Sequence, residues 1–173
     1  MSYIRLRKID PEDTDNILKW RNSPFVSQNL FTREKLTRAQ HMNWLKTNID
    51  AGKCFQFIIE IISSDIPIGT VFIKNIDRHS QKAELGIFIG EESCIGKGYG
   101  TESVNLILDF AFNDLNLNKI YLYVFENNIA GIKSYLSAGF KLEGTLREYH
   151  KINEDYLNVL HMGILKRERG LKR

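Results

Sequence analysis

Residues 94–103 read CIGKGYGTES, three glycines in five positions with a helix-capable run directly behind them. Glycine is costly in an ordered element, so such a cluster marks a place where the backbone bends unusually or is closely approached. Behind it, Val104, Ile107, Leu108, Ala111 and Phe112 recur at helical spacing and predict a helix from about Thr101 to Asp114. Ahead of it, AELGIFI reads as a strand ending near Ile89. A loop between a strand end and a helix start presents unpaired N–H groups and the positive end of the helix dipole, which together favour an anion. Gly96, Gly98 and Gly100 let a phosphate approach those amides, and Lys97 and Thr101 add a charge and a hydroxyl. The P-loop pattern does not fit, because Glu91 and Gly98 occupy the places of its first glycine and its Ser or Thr. The dinucleotide fingerprint GxGxxG fails as well, with Thr101 or Ser103 in place of its third glycine.

Outward from the loop, short-range signals order the rest of the chain. A first strand spans about Tyr3 to Arg7. Asp10, Pro11, Glu12 and Asp13 then open a helix running to about Arg21, with a cap, a first-turn proline and first-turn acids. Thr37 and Gln40 form a capping box for a second helix carrying His41, Met42, Trp44, Leu45 and Ile49. Three strands, Phe55–Ile62, Ile68–Asn75 and Ala83–Ile89, read as an antiparallel meander with a turn at SSDIP. After the central helix come a strand, KIYLYVF, and a short helix, AGIKSYL, ended by Gly139. Two strand-like segments around KINE close the chain. The order βααβββαβαββ predicts an α/β fold: a mixed sheet with helices on both faces.

Composition sets the class. At 173 residues the chain supports one domain, read as residues 1–166 with a solvated basic tail at 167–173. A net charge of +3, from 24 basic and 21 acidic residues, is too slight and scattered for a nucleic-acid footprint. Cys54 and Cys94 are isolated, so no disulfide framework or metal site is expected. No signal-peptide core or membrane span is visible, and a cytoplasmic protein without a membrane partner is expected.

The loop and its surroundings resemble the GNAT superfamily of acetyl-CoA-dependent N-acetyltransferases. The family's pyrophosphate loop, Q/R-x-x-G-x-G/A, is met at Gly98 and Gly100, with Ile95 replacing the leading Gln or Arg. A second signature, N-x(6)-Y-x(3)-G-F, is met by Asn128, Tyr135, Gly139 and Phe140. The element order is also that of the family, so the resemblance covers essentially the whole chain. It implies that residues 96–101 hold the diphosphate of acetyl-CoA and that Asn128 bonds the pantetheine arm. It further implies that the backbone of Ile87, Phe88 and Ile89 meets the pantetheine and thioester, and that Tyr135 acts as general acid toward the thiolate. Relatives often dimerise, so a homodimer is possible. Glu84 shares a strand face with Gly86 and Phe88 and is the candidate general base, against the bland reading of a solvated strand residue.

For the acceptor, Trp20-Arg21-Asn22, the HMNWL segment at 41–45 and Lys74-Asn75 resemble the UDP-amino-sugar N-acetyltransferases of pseudaminic acid biosynthesis. That resemblance implies that Arg21, His41 and Lys74 face a nucleotide. The alternatives are acetylation of a ribosomal-protein N-terminus, acetylation of a polyamine and a non-catalytic acyl-CoA sensor. Polyamines rank last, because the helical region supplies Arg21, Arg33, Lys35, Arg38 and Lys46 where a polyamine site should collect carboxylates.

Overall fold

Seven strands form one sheet in the computed structural model, which describes residues 2–169. In chain order the strands are β1 (Ile4–Lys8), β2 (Phe55–Ile61), β3 (Ile66–Asp77), β4 (Lys82–Ile89), β5 (Lys119–Phe125), β6 (Lys141–Ile152) and β7 (Asp155–Leu165). Their spatial order is β1-β2-β3-β4-β5-β7-β6, and β4 with β5 is the parallel pair, all other neighbours being antiparallel. The helices are α1 (Thr14–Arg21), α2 (Pro24–Ser27), α3 (Arg38–Trp44), α4 (Tyr99–Asp109) and α5 (Ile129–Ser137). The expected Thr37–Gln40 capping box opens α3, and the expected Asp10 cap closes with Asp13 into a second capping box, at a 3-10 turn ahead of α1. The short α2, capped by the Ser23 side chain, was not foreseen, and α3 and α4 each run on into a π-helical turn. None of these helices is long and apolar enough to cross a membrane.

Strand alternation divides the core in two. The larger cluster joins one sheet face (Ile59, Val71, Ile73, Leu85, Leu122, Val124) to Val104, Ile107 and Leu108 of α4 and Tyr135 and Ala138 of α5. The smaller one lies on the other face, where Ile58 meets Ile17 and Trp20 of α1, Val26 of α2 and Leu45. The expected tail is partly folded. Lys166–Glu168 form a 3-10 turn, and Arg169 donates to Asp109 at 2.9 Å and to the Asn105 side chain at 2.6 Å, pinning this end to α4. Residues 170–173 of that tail lie outside the described residues.

Candidate active site

The parallel β4–β5 pairing covers only Lys82 to Glu84 against Lys119 to Tyr121. Beyond those residues the strands part, and a cleft opens between β4 from Leu85 to Ile89 and β5 from Leu122 to Phe125. Each wall keeps its hydrogen bonds on its outer side, β4 with β3 and β5 with β7, so each presents a free edge inward. Gly90, just past β4, donates its amide to the Ile68 carbonyl of β3 at 2.7 Å. By alternation along the register, the backbone groups of Ile87 and Ile89 face the cleft, while those of Phe88 face β3 opposite Thr70. Phe88 therefore does not offer its backbone to a ligand; its side chain packs at the margin of the smaller core.

The glycine loop stands at the end of β4. Gly96 and Gly98 adopt φ of +76° and +84°, a left-handed geometry that side chains resist. Gly98 caps α4 without any side-chain acceptor. Among the described residues, no backbone or side-chain acceptor serves the amides of Gly96, Lys97, Gly98, Tyr99, Gly100 or Thr101; the ladder resumes with Glu102 donating to Gly98 at 3.0 Å. A run of free donors at a helix start fits a diphosphate. Lys97 is exposed, Thr101 is half-buried, and Ile95 is exposed with an apolar side chain that cannot hydrogen-bond a phosphate.

Across the cleft, α5 follows β5. Asn128 caps α5, accepting from the Gly131 amide at 3.0 Å, so its side-chain oxygen is engaged and its amide nitrogen remains for a ligand. Tyr135 lies in the larger core cluster, the one that also holds Leu122 and Val124 and, at its margin, Ile87 and Ile89 of the two cleft walls. Burial pushes its phenol up to about 12, so the group keeps its proton at neutral pH.

Glu84 stands at the fork where the strands part, on the α1–α3 face. Its carboxylate is engaged at both oxygens, by Lys74 Nζ at 3.1 Å and by Asn75 Nδ2 at 2.8 Å. Two consecutive residues of one strand would normally point to opposite faces. Here the β3 register shifts between Lys74 and Asp77, with Asn75 at φ +52°, and this bulge lets both side chains reach the same carboxylate.

The opposite wall is aromatic, a feature not foreseen. Tyr121, Tyr123 and Phe125 alternate along β5 with the core residues Ile120, Leu122 and Val124 and so share the face of Glu84. Tyr123 stacks on His161 at 4.9 Å and lies parallel to Tyr149 at 6.4 Å, while Phe125 meets Phe31 at 4.6 Å and His150 at 5.6 Å. Burial, with the Glu84 charge adding to it, raises the phenol pKa of Tyr121. In Tyr123 burial is again the main cause, followed by Tyr149 and then Glu84. The period-two pattern of KIYLYVF carried the signal for this wall.

The three acceptor-binding candidates separate. Lys74 is at the fork. Arg21 is half-buried and donates to the Thr32 carbonyl at 3.1 Å, holding the loop whose Phe31 and Arg33 reach Phe125. His41 does not face a ligand. It is 2% exposed between α3 and the start of α1, with Nδ1 3.1 Å from the Thr14 hydroxyl and Nε2 buried without a partner among the described residues. The Thr14 hydroxyl donates to the Pro11 carbonyl at 2.7 Å, so it accepts from an Nδ1–H, and burial lowers the imidazole pKa. His41 is therefore a neutral packing residue.

Residues 4–141 match the acetyltransferase (GNAT) domain family. The uncharacterized N-acetyltransferase p20 of Bacillus licheniformis is 32% identical over 168 residues, covering 95% of this chain and 94% of that protein. Spermidine N(1)-acetyltransferase of Escherichia coli strain K12 is 28% identical over 165 residues, covering 95% and 87%. The crystal structure of spermidine N-acetyltransferase from Vibrio cholerae in complex with CoA and spermine matches with a TM-score of 0.91 at 28% identity, covering 98% and 99% of the two chains.

Proposed function

The chain belongs to the GNAT family of acetyltransferases, and from that premise we propose that it moves the acetyl group of acetyl-CoA onto the primary amine of a phosphate-bearing acceptor, a nucleotide-linked amino sugar. The observation that carries the acceptor is the charge around Glu84. Lys74 neutralises this carboxylate, and farther along β5, four residues beyond the Tyr121 that pairs with Glu84, the loop after α2 brings Arg33 within 5.9 Å of the Phe125 ring. A carboxylate already neutralised, with a further cation along the same wall, suits an anionic acceptor better than a polycation.

A second reading has its own support: two of the relatives above are named for spermidine, which moves polyamines from last place to second. Against it stands Glu84 itself, the carboxylate a polyammonium would seek, already held by a lysine.

In the proposed reaction the free amides of residues 96–101 bind the coenzyme's diphosphate. The backbone groups of Ile87 and Ile89 extend the sheet by pairing with the pantetheine, and the Asn128 amide nitrogen steadies the same arm. One of those cleft-facing amides donates to the thioester oxygen, stabilising the charge that grows there as the amine nitrogen bonds to the carbonyl carbon. Glu84 takes the proton of the incoming ammonium, directly or through water, once Lys74 or Asn75 releases an oxygen. As the carbon–sulfur bond breaks, Tyr135 gives its phenol proton to the departing sulfur, the second proton of the former ammonium nitrogen passes to solvent, and Tyr135 is reprotonated from solvent. The products are the acetamide and the free thiol.

An acceptor panel tests this reading: UDP-linked amino sugars, spermidine and a ribosomal N-terminal peptide, each followed by acetyl-CoA consumption. The highest kcat/KM is expected with a UDP-amino sugar. A preference for spermidine replaces this reading with the second, and tight coenzyme binding without turnover of any amine would indicate a sensor.

A further inference from the structure

A groove of ≈ 580 Å³ runs away from the fork, within the size range of small-molecule sites. It is walled by Trp44 and Asn48 on the helix leading from α3, by Lys53 on the turn that follows, and by Lys74, Asn75 and Arg78 at the end of β3. Among the described residues no carboxylate lines it. Among the described residues, Lys53 and Arg78 make no ion pair. Asp77, next to Arg78, is committed elsewhere, accepting from the Ser80 amide at 2.8 Å. Like charges gathered around one concavity repel unless an anion lies between them.

The rest of the wall is already in place. The amides of Lys53 and Cys54 both donate to the Asn48 carbonyl, at 2.9 and 3.1 Å, which fixes the turn carrying Lys53. The indole N–H of Trp44 is satisfied by Gln56 at 3.2 Å, and its half-buried ring packs against the smaller core while lining the groove. Lys74 belongs both to this groove and to the Glu84 ion pair.

We propose that this groove binds the phosphate groups of the acceptor through Lys53, Arg78 and Lys74, and that the anion draws Lys74 away from Glu84 as it binds. The acceptor thus frees the carboxylate that must take its proton, and an amine lacking the anion meets a base still held by lysine. Trp44 supplies a flat apolar surface for a ring attached to the phosphates. The proposal rests on the phosphate-bearing acceptor reading given above.

The test uses the full-length protein saturated with coenzyme A, so that the glycine loop is filled, and inorganic pyrophosphate as the titrant in calorimetry. Saturable pyrophosphate binding is expected, weakened about tenfold or more in the exposed double variant Lys53→Glu/Arg78→Glu. With acetyl-CoA and a UDP-amino sugar, Lys53→Ala and Arg78→Ala should each raise the acceptor KM about tenfold and leave the acetyl-CoA KM unchanged. Absence of pyrophosphate binding, or equal affinity in the double variant, overturns the groove. Turnover of a UDP-amino sugar with unaltered acceptor KM in both alanine variants overturns it too, while the acceptor reading survives. Preference for spermidine combined with charge-sensitive pyrophosphate binding leaves the groove standing as an anion site and removes the acceptor reading instead.

Discussion

Tyr135 and His41 show how position decides the use of a titratable side chain. The Tyr135 phenol, pushed up to about 12, is a poor base and a reliable proton reservoir near neutrality. Tyr135→Phe should lower kcat by about 10²-fold or more, with little change in coenzyme affinity, because the hydroxyl matters as charge leaves on sulfur. Single-turnover kinetics beside coenzyme titration would separate the two. The same burial makes a stability prediction. The folded-state value lies above the ordinary 10.0, so the contribution of the neutral phenol is intact below pH 10 and is lost as pH rises through about 12. Cys54, raised by burial from 9.0 to about 12, adds a loss of the same sign that begins lower. Denaturation midpoints across pH 9–12 should fall less steeply in Tyr135→Phe than in the parent. His41 has the opposite sign. Its pKa lies below 6.5, so its contribution is present above that pH and is lost as pH falls through the depressed value. His41→Gln should flatten the decline in stability below pH 6.5 while leaving the acceptor KM unchanged; a specific rise in that KM would return His41 to the acceptor site.

At the level of elements, backbone irregularities build the site more than regular structure does. Gly98 needs its left-handed φ, yet a Cβ there would meet nothing within 4 Å. Gly98→Ala should therefore cost only about 1–2 kcal/mol of stability, from conformation alone, while the acetyl-CoA KM rises through the distorted amide run. Thermal melts beside acetyl-CoA kinetics would read both. The β6 bulge between Leu146 and His150 works similarly. Glu148 sits at φ +51° with its amide donated to Asn158 Oδ1 at 2.9 Å, and Asn158 in turn donates to Glu126 at 2.9 Å. With the bulge in place, the consecutive residues Tyr149 and His150 both reach the β5 aromatic wall. Asn158→Ala removes that support. It should raise the acceptor KM severalfold with acetyl-CoA KM unchanged, and equal rises in both constants would mean that the bulge serves stability alone.

For the molecule as a whole, the cleft exists because two parallel strands pair for one short stretch and then part, held open by cores on both faces. The chain ends brace this arrangement. Glu102 of α4 accepts from the Tyr3 amide at 2.9 Å, and Arg169 grips Asn105 and Asp109 on the same helix. Arg169→Ala should cost about 1 kcal/mol, since solvent screens the exposed Asp109 partner, without altering either KM; urea denaturation would measure it.

What the sequence alone determined was local. The element order (the short α2 excepted), the Asp10 cap, the Thr37–Gln40 capping box and the glycine loop follow from spacings of a few residues, whose physics is complete within one turn of chain. The strand run of alternating tyrosines was equally legible, although its role as a wall was not. Only the tertiary structure decided that Phe88 turns its backbone toward β3, that His41 is sealed between helices and that Lys74 and Asn75 share one carboxylate. Those outcomes depend on sheet register and on bulges set by partners far away in the chain, and no short stretch of residues encodes the neighbour it will meet.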